Sequence, residues 1–67
     1  MEYRLEQFEK MLQAILAEYD ATVAKMEKLK AENKTKSVTY KQLMGTKLNL
    51  QNIISRYEIY DLIDKQQ

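Results

Sequence analysis

The chain contains no cysteine, no histidine, no proline and no tryptophan, and its single glycine is Gly45. Losing cysteine and histidine together removes disulfides and the commonest zinc ligands, the two staples on which very small domains rely. It also restricts any nucleophile and base to lysine, hydroxyl and carboxylate side chains. With no proline, nothing in the covalent chain obliges a helix to stop. Long apolar runs are missing too: no segment approaches the ~18 residues of a membrane span. Glu2, Arg4, Glu6 and Glu9 stand where a signal peptide needs an apolar stretch, so a cytoplasmic protein is expected. Neither sign of charge dominates. Eleven basic and ten acidic residues leave a net charge of +1, and no global field draws the chain to nucleic acid or anionic lipid.

What is present suits long helices. Charged residues make up 31% and apolar residues 45% of the 67 positions, a balance that fits neither disorder nor an all-β fold. The length implies one domain, residues 1–67, smaller than the ~70–80 residues at which one core supplies more than a few kcal/mol. Oligomerisation is the staple that remains.

Leu5, Phe8, Leu12, Ile15, Tyr19, Thr22, Met26 and Leu29 follow one another at alternating spacings of three and four. That is a heptad seam, and it predicts a first helix over about Glu2 to Glu32. Met11, Leu16 and Val23 widen the stripe, while Glu6, Glu9, Lys10, Gln13, Asp20, Glu27 and Lys28 take the outside. Glu6 with Lys10 and Lys28 with Glu32 are spaced for ion pairs worth ~0.2–0.5 kcal/mol.

The pattern lapses over Asn33-Lys34-Thr35-Lys36-Ser37, a polar stretch suited to a helix-to-helix turn. Thr39 with Gln42 fits a capping box, and Val38 can pack on Leu43 as a hydrophobic staple; Ser37 is a second candidate cap. A second helix is expected from about Thr39 to Asp64, with a seam of Leu43, Thr46, Leu50, Ile53, Ile54, Tyr57 and Tyr60. Folding back near Lys36 should place Leu29 by Leu43, Thr22 by Leu50, Tyr19 by Ile53 or Ile54, and Ile15 by Tyr57. The fold class is therefore all-α, an antiparallel two-helix hairpin.

The second helix carries apolar residues on its other side as well. Met44, Gly45, Leu48, Asn52, Ser55, Ile59 and Leu62 form a second stripe, which a two-helix chain has no means to cover. These residues are the expected interface with another copy, a dimer closing a four-helix bundle, or with a helical partner protein. Gly45 costs ~1 kcal/mol relative to alanine inside a helix. It reads either as a point of close approach or as a break, with Thr46 capping a third helix.

A different function is suggested by Lys47 to Glu58, which reads Lys-Leu-Asn-Leu-Gln-Asn-Ile-Ile-Ser-Arg-Tyr-Glu. This segment resembles the turn and recognition helix of phage-repressor-like helix-turn-helix domains, with Thr39 to Leu43 in the place of their first helix. The resemblance implies DNA binding, with Gln51, Asn52 and Ser55 facing bases and Arg56 a phosphate. The segment departs from that family in a turn about one residue shorter and in lacking a glycine at its centre. Charge is compatible with a polyanion: Lys34, Lys36, Lys41, Lys47 and Arg56 lie between Asn33 and Tyr57 with no acid among them. The same lysines also suit a solvated turn that opposes the dipole of the first helix.

Catalysis is not expected, and no cofactor or metal is implied. Glu58, Asp61 and Asp64 share a helical spacing, but carboxylates at a helix C-terminus fit a solvated end with Lys65 better than a metal or acid-base cluster. Two helices also lack a ligand-sized pocket. Tyr19, Tyr57 and Tyr60 fall on seam positions, where rings fill space and hydroxyls reach the edge. The expected function is a small non-enzymatic interaction or regulatory module that self-associates through its second helix.

Overall fold

Sustained heptad spacing with no proline should give long uninterrupted helices, and it does. The computed structural model describes residues 2–60, which form α1 (Glu2–Ala31) and α2 (Val38–Ile59), packed against each other as a hairpin. α2 ends at Ile59 with Tyr60 as its C-cap, whereas Asp64, near which its end was expected, lies outside the described residues.

The turn is a relay of caps. Asn33 adopts a left-handed conformation, φ 59°. Its N–H donates to the Lys30 carbonyl at 3.0 Å and that of Lys34 to the Leu29 carbonyl at 2.8 Å. These two bonds are a Schellman motif, and asparagine takes the position where glycine is usual because its short polar side chain tolerates positive φ. Three residues on, the Ser37 N–H donates to the Lys34 carbonyl at 3.2 Å. The Ser37 hydroxyl donates to the same carbonyl at 2.7 Å and accepts from the Tyr40 N–H at 3.1 Å. Ser37, not Thr39, is thus the N-cap of α2. Thr39 lies inside the first turn, and Val38, 71% exposed at the first helical position, makes no staple. The ion pair at this end joins Glu32 to Lys34 at 3.1 Å instead of Lys28 to Glu32, and its exposure leaves it little energetic weight.

The core is one line of contact. Ile15, Leu50 and Ile54 form its centre, with Leu16, Tyr19, Ile53 and Tyr57 packed around them. Leu12 and Met26 extend it along α1. Thr22 is buried at its expected seam position, and its hydroxyl donates to the Glu18 carbonyl one turn back at 2.8 Å. Gln51 donates its side-chain N–H to the Tyr19 hydroxyl at 3.1 Å, and the rings of Phe8 and Tyr57 meet at 5.6 Å with a 60° tilt. Tyr57 therefore reaches two turns beyond Ile15 while still touching the cluster that contains it. Leu5, expected on the seam, is 58% exposed. α1 is the longer helix, 30 residues against 22, about 45 and 33 Å, so its first turns lie beyond the described end of α2.

On α2 the buried stripe is rotated from the expected one. Tyr40, Leu43, Lys47, Leu50, Ile54 and Tyr57 are buried or half-buried and spaced alternately by three and four, with Ile53 and Glu58 half-buried at the margins of the stripe. Thr46 and Tyr60 are exposed, because the stripe is centred on the Leu43, Lys47, Leu50 and Ile54 side of the helix. Thr46 uses its hydroxyl to bond the Gln42 carbonyl at 3.1 Å, and Lys47 lays its aliphatic stem where Thr46 was expected.

Replacing Ile54 by alanine should cost ~2–5 kcal/mol, comparable to the whole stability of a domain this small, and should abolish the helical circular dichroism signal at 25 °C. Replacing Ser37 by alanine should cost only ~1 kcal/mol and leave a folded chain with a lower urea midpoint.

Candidate interaction face

At about 100° per residue, Met44, Ser55, Leu48, Ile59, Asn52 and Gly45 fall in that order from about 80° to 180° away from the centre of the buried stripe of α2. All six are exposed. Leu48 is 58% and Ile59 72% open to solvent, and a Cβ placed on Gly45 would meet nothing within 4 Å. The hairpin thus has a helix covered on one side and carrying apolar groups on the other. Leu62, the remaining member of this stripe as read from sequence, lies outside the described residues.

Between this face and α1 runs a groove of about 620 Å³. Tyr19 bounds it on α1, and Lys47, Gln51 and Glu58 on α2 bound it together with Leu48, Asn52 and Ser55 of the outer face. Two helices therefore do shape a concavity, open along one side, because the rotated stripe turns the row from Lys47 to Glu58 towards the flank. The Tyr19 to Gln51 hydrogen bond crosses between the two helices at this groove. Sequence spacing held the signal for Lys47, since 43, 47, 50, 54 and 57 is as regular a series as the one built on Thr46. A lysine was simply not counted as a seam residue.

The five basic positions do not converge. Lys34 and Lys36 stand in the turn and Lys41 in the first turn of α2, all exposed, whereas Lys47 is half-buried. Arg56 lies about 22 Å along the helix from Lys41, beside a small recess shared with Ile53, Tyr57 and Tyr60. Gln51, Asn52 and Ser55 are exposed as a recognition surface requires. Yet α2 runs without interruption from Val38 to Ile59, so neither the turn of a helix-turn-helix unit nor a break at Gly45 with Thr46 as a cap is present.

Among the described residues, no three histidine, cysteine or acidic side chains are placed to hold a metal ion. Asp61 and Asp64, considered with Glu58, lie outside the described residues. No described helix is long and apolar enough to cross a membrane. The chain matches no protein-family model, and comparison with curated proteins and with solved structures returned no match.

Because nothing in the chain approaches Gly45, its replacement by alanine should stabilise the isolated hairpin by ~1 kcal/mol, the helix-propensity difference alone. Urea unfolding at the lowest workable protein concentration checks this. A loss of stability there would mean that a contact within the chain occupies the site.

Proposed function

We propose that this chain is a small non-enzymatic interaction module that pairs with a second copy through the outer face of α2, closing a four-helix bundle. The observation that carries this reading is the exposure of Met44, Leu48 and Ile59 on the side of α2 turned away from α1. The thinness of the core supports it. Among the described residues no large side chain is fully buried, and Ile54, the most enclosed apolar residue, keeps 4% of its surface. A chain of this size gains a second layer of packing most simply by borrowing it from a copy of itself.

Magnitudes set the expected strength. Fully burying a large aliphatic or methionine side chain gives ~1.5–3 kcal/mol; with Met44, Leu48 and Ile59 already close to half enclosed, three from each of two copies give ~5–10 kcal/mol gross. Loss of free translation and rotation costs ~4–15 kcal/mol. The difference is modest, which describes a dimer whose population depends on concentration rather than a permanent one. Catalysis has no part in this reading.

Sedimentation equilibrium over a wide concentration range should give twice the chain mass at the upper end. Leu48→Glu should raise the dissociation constant at least ~100-fold, since two leucines lose their burial and two carboxylates enter the contact. An unchanged mass for that variant, or a wild-type chain that stays monomeric throughout, overturns the proposal.

A further inference from the structure

Resting on the self-association proposed above, we infer that the two copies run antiparallel, related by a two-fold axis that passes beside Asn52 on the outer face of α2. Two independent features of the chain fit this arrangement and oppose a parallel one.

The first is size. A two-fold axis at Asn52 places each residue opposite the one equally far beyond it on the other copy. Gly45, seven residues before Asn52, meets Ile59 of the partner subunit, seven residues after. Leu48, four residues before Asn52, falls level with Arg56 of the partner subunit, next to the small Ser55 of the partner subunit. At the Gly45 layer a large side chain thus meets a position without one, as close packing requires. The two Asn52 amides meet at the axis, where each can donate to the other and fix the register. A parallel pairing sets Gly45 against Gly45, leaving a void, and Ile59 against Ile59.

The second is polarity along the hairpin. The half nearest the turn, residues 21–47, holds seven basic and two acidic residues. The described open end, residues 2–20 and 48–60, holds three basic and six acidic ones. Antiparallel copies lay the positive half of each over the negative half of the other. The turn lysines then fall level with the overhanging start of α1, where Glu2, Glu6 and Glu9 stand. Parallel copies set like charges together over their full length.

The absence of native cysteine makes a direct test possible. Gly45→Cys and Ile59→Cys are prepared separately, each at an exposed position, and oxidised in glutathione buffer alone and as an equal mixture. In the antiparallel dimer the two Gly45 positions are roughly 21 Å apart, as are the two Ile59 positions, far beyond disulfide reach, while Gly45 and Ile59 of opposite copies share a layer. The mixture should form a disulfide-linked pair of one variant with the other, at least about tenfold more than either variant alone forms with itself. Self-linked Gly45→Cys or Ile59→Cys dimers in amounts matching the mixed species overturn the antiparallel arrangement. So does an absence of cross-links in samples that sedimentation shows to be dimeric. A wild-type chain that sediments only as a monomer overturns the self-association reading itself, so the two failures are distinct.

Discussion

Everything in this molecule depends on one line of apolar contact, in which Ile15 of α1 meets Leu50 and Ile54 of α2. A helix of 22 residues with few alanines gains too little from its own backbone bonds to persist in water, and its amphipathic face must supply the rest. Each helix is therefore stable only because the other is present. The contact is also narrow, because two cylinders touch along a line and leave their remaining surface to solvent or to something else. A third or fourth helix is the usual remedy in all-α domains. Here the chain offers only two among the described residues, and exposed apolar side chains remain on both: Tyr3, Leu5, Phe8 and Met11 on α1, and Val38, Met44, Leu48 and Ile59 on α2.

The heptad seam of α1 was readable from Leu12 to Leu29, because alternating three and four spacing over four repeats leaves no other face to bury. Its first members were not. Leu5 obeys the same spacing yet is exposed, since burial depends on what stands opposite and not on the helix's own pattern. On α2 the sequence offered two nearly equal series, one through Thr46 and one through Lys47. Choosing the residue of lower polarity selected the wrong one, because a lysine stem packs as well as a threonine methyl while its ammonium reaches water. The N-cap was misplaced for a related reason. Thr39 and Gln42 have the right identities for a capping box, but the Schellman bonds of Asn33 and Lys34 set where the turn ends, and they bring Ser37 into position first. The outer stripe from Met44 to Ile59 was legible in full as exposed apolar spacing. The groove beside it was not, because it arises from the rotation of α2 about its own axis and from one tyrosine on the other helix.

The helix-turn-helix likeness shows how a short segment misleads. Leucine, asparagine, isoleucine and arginine at these intervals serve equally well as a turn with a recognition helix or as the two faces of one continuous helix. What separates them is the conformation at Gly45 to Asn49, and there α2 keeps helical geometry throughout. Thr46, which would cap a new helix after a break, instead bonds back to Gln42 within the old one. The basic residues do not form one cluster, since Arg56 stands more than 20 Å from the turn lysines along the helix axis.

A single helix serving two contacts has a thermodynamic consequence. If the inner face of α2 contributes only a few kcal/mol and the outer face is covered by another copy, then association and folding draw on the same ordered helix. Ordering α2 for the first contact prepays the conformational entropy of the second, so the two events reinforce each other without any change in shape. In the proposed dimer such a coupling would place the working range of the protein at the concentration where the dimer forms, and would account for a glycine that costs helix stability in the middle of α2. At Gly45 the loss of intrinsic propensity is about 1 kcal/mol per chain, a cost that makes sense only where a neighbouring side chain fills the space that a methyl group would deny it. Among the described residues the hairpin has no such neighbour, and in the proposed antiparallel pair Ile59 of the partner subunit would stand there.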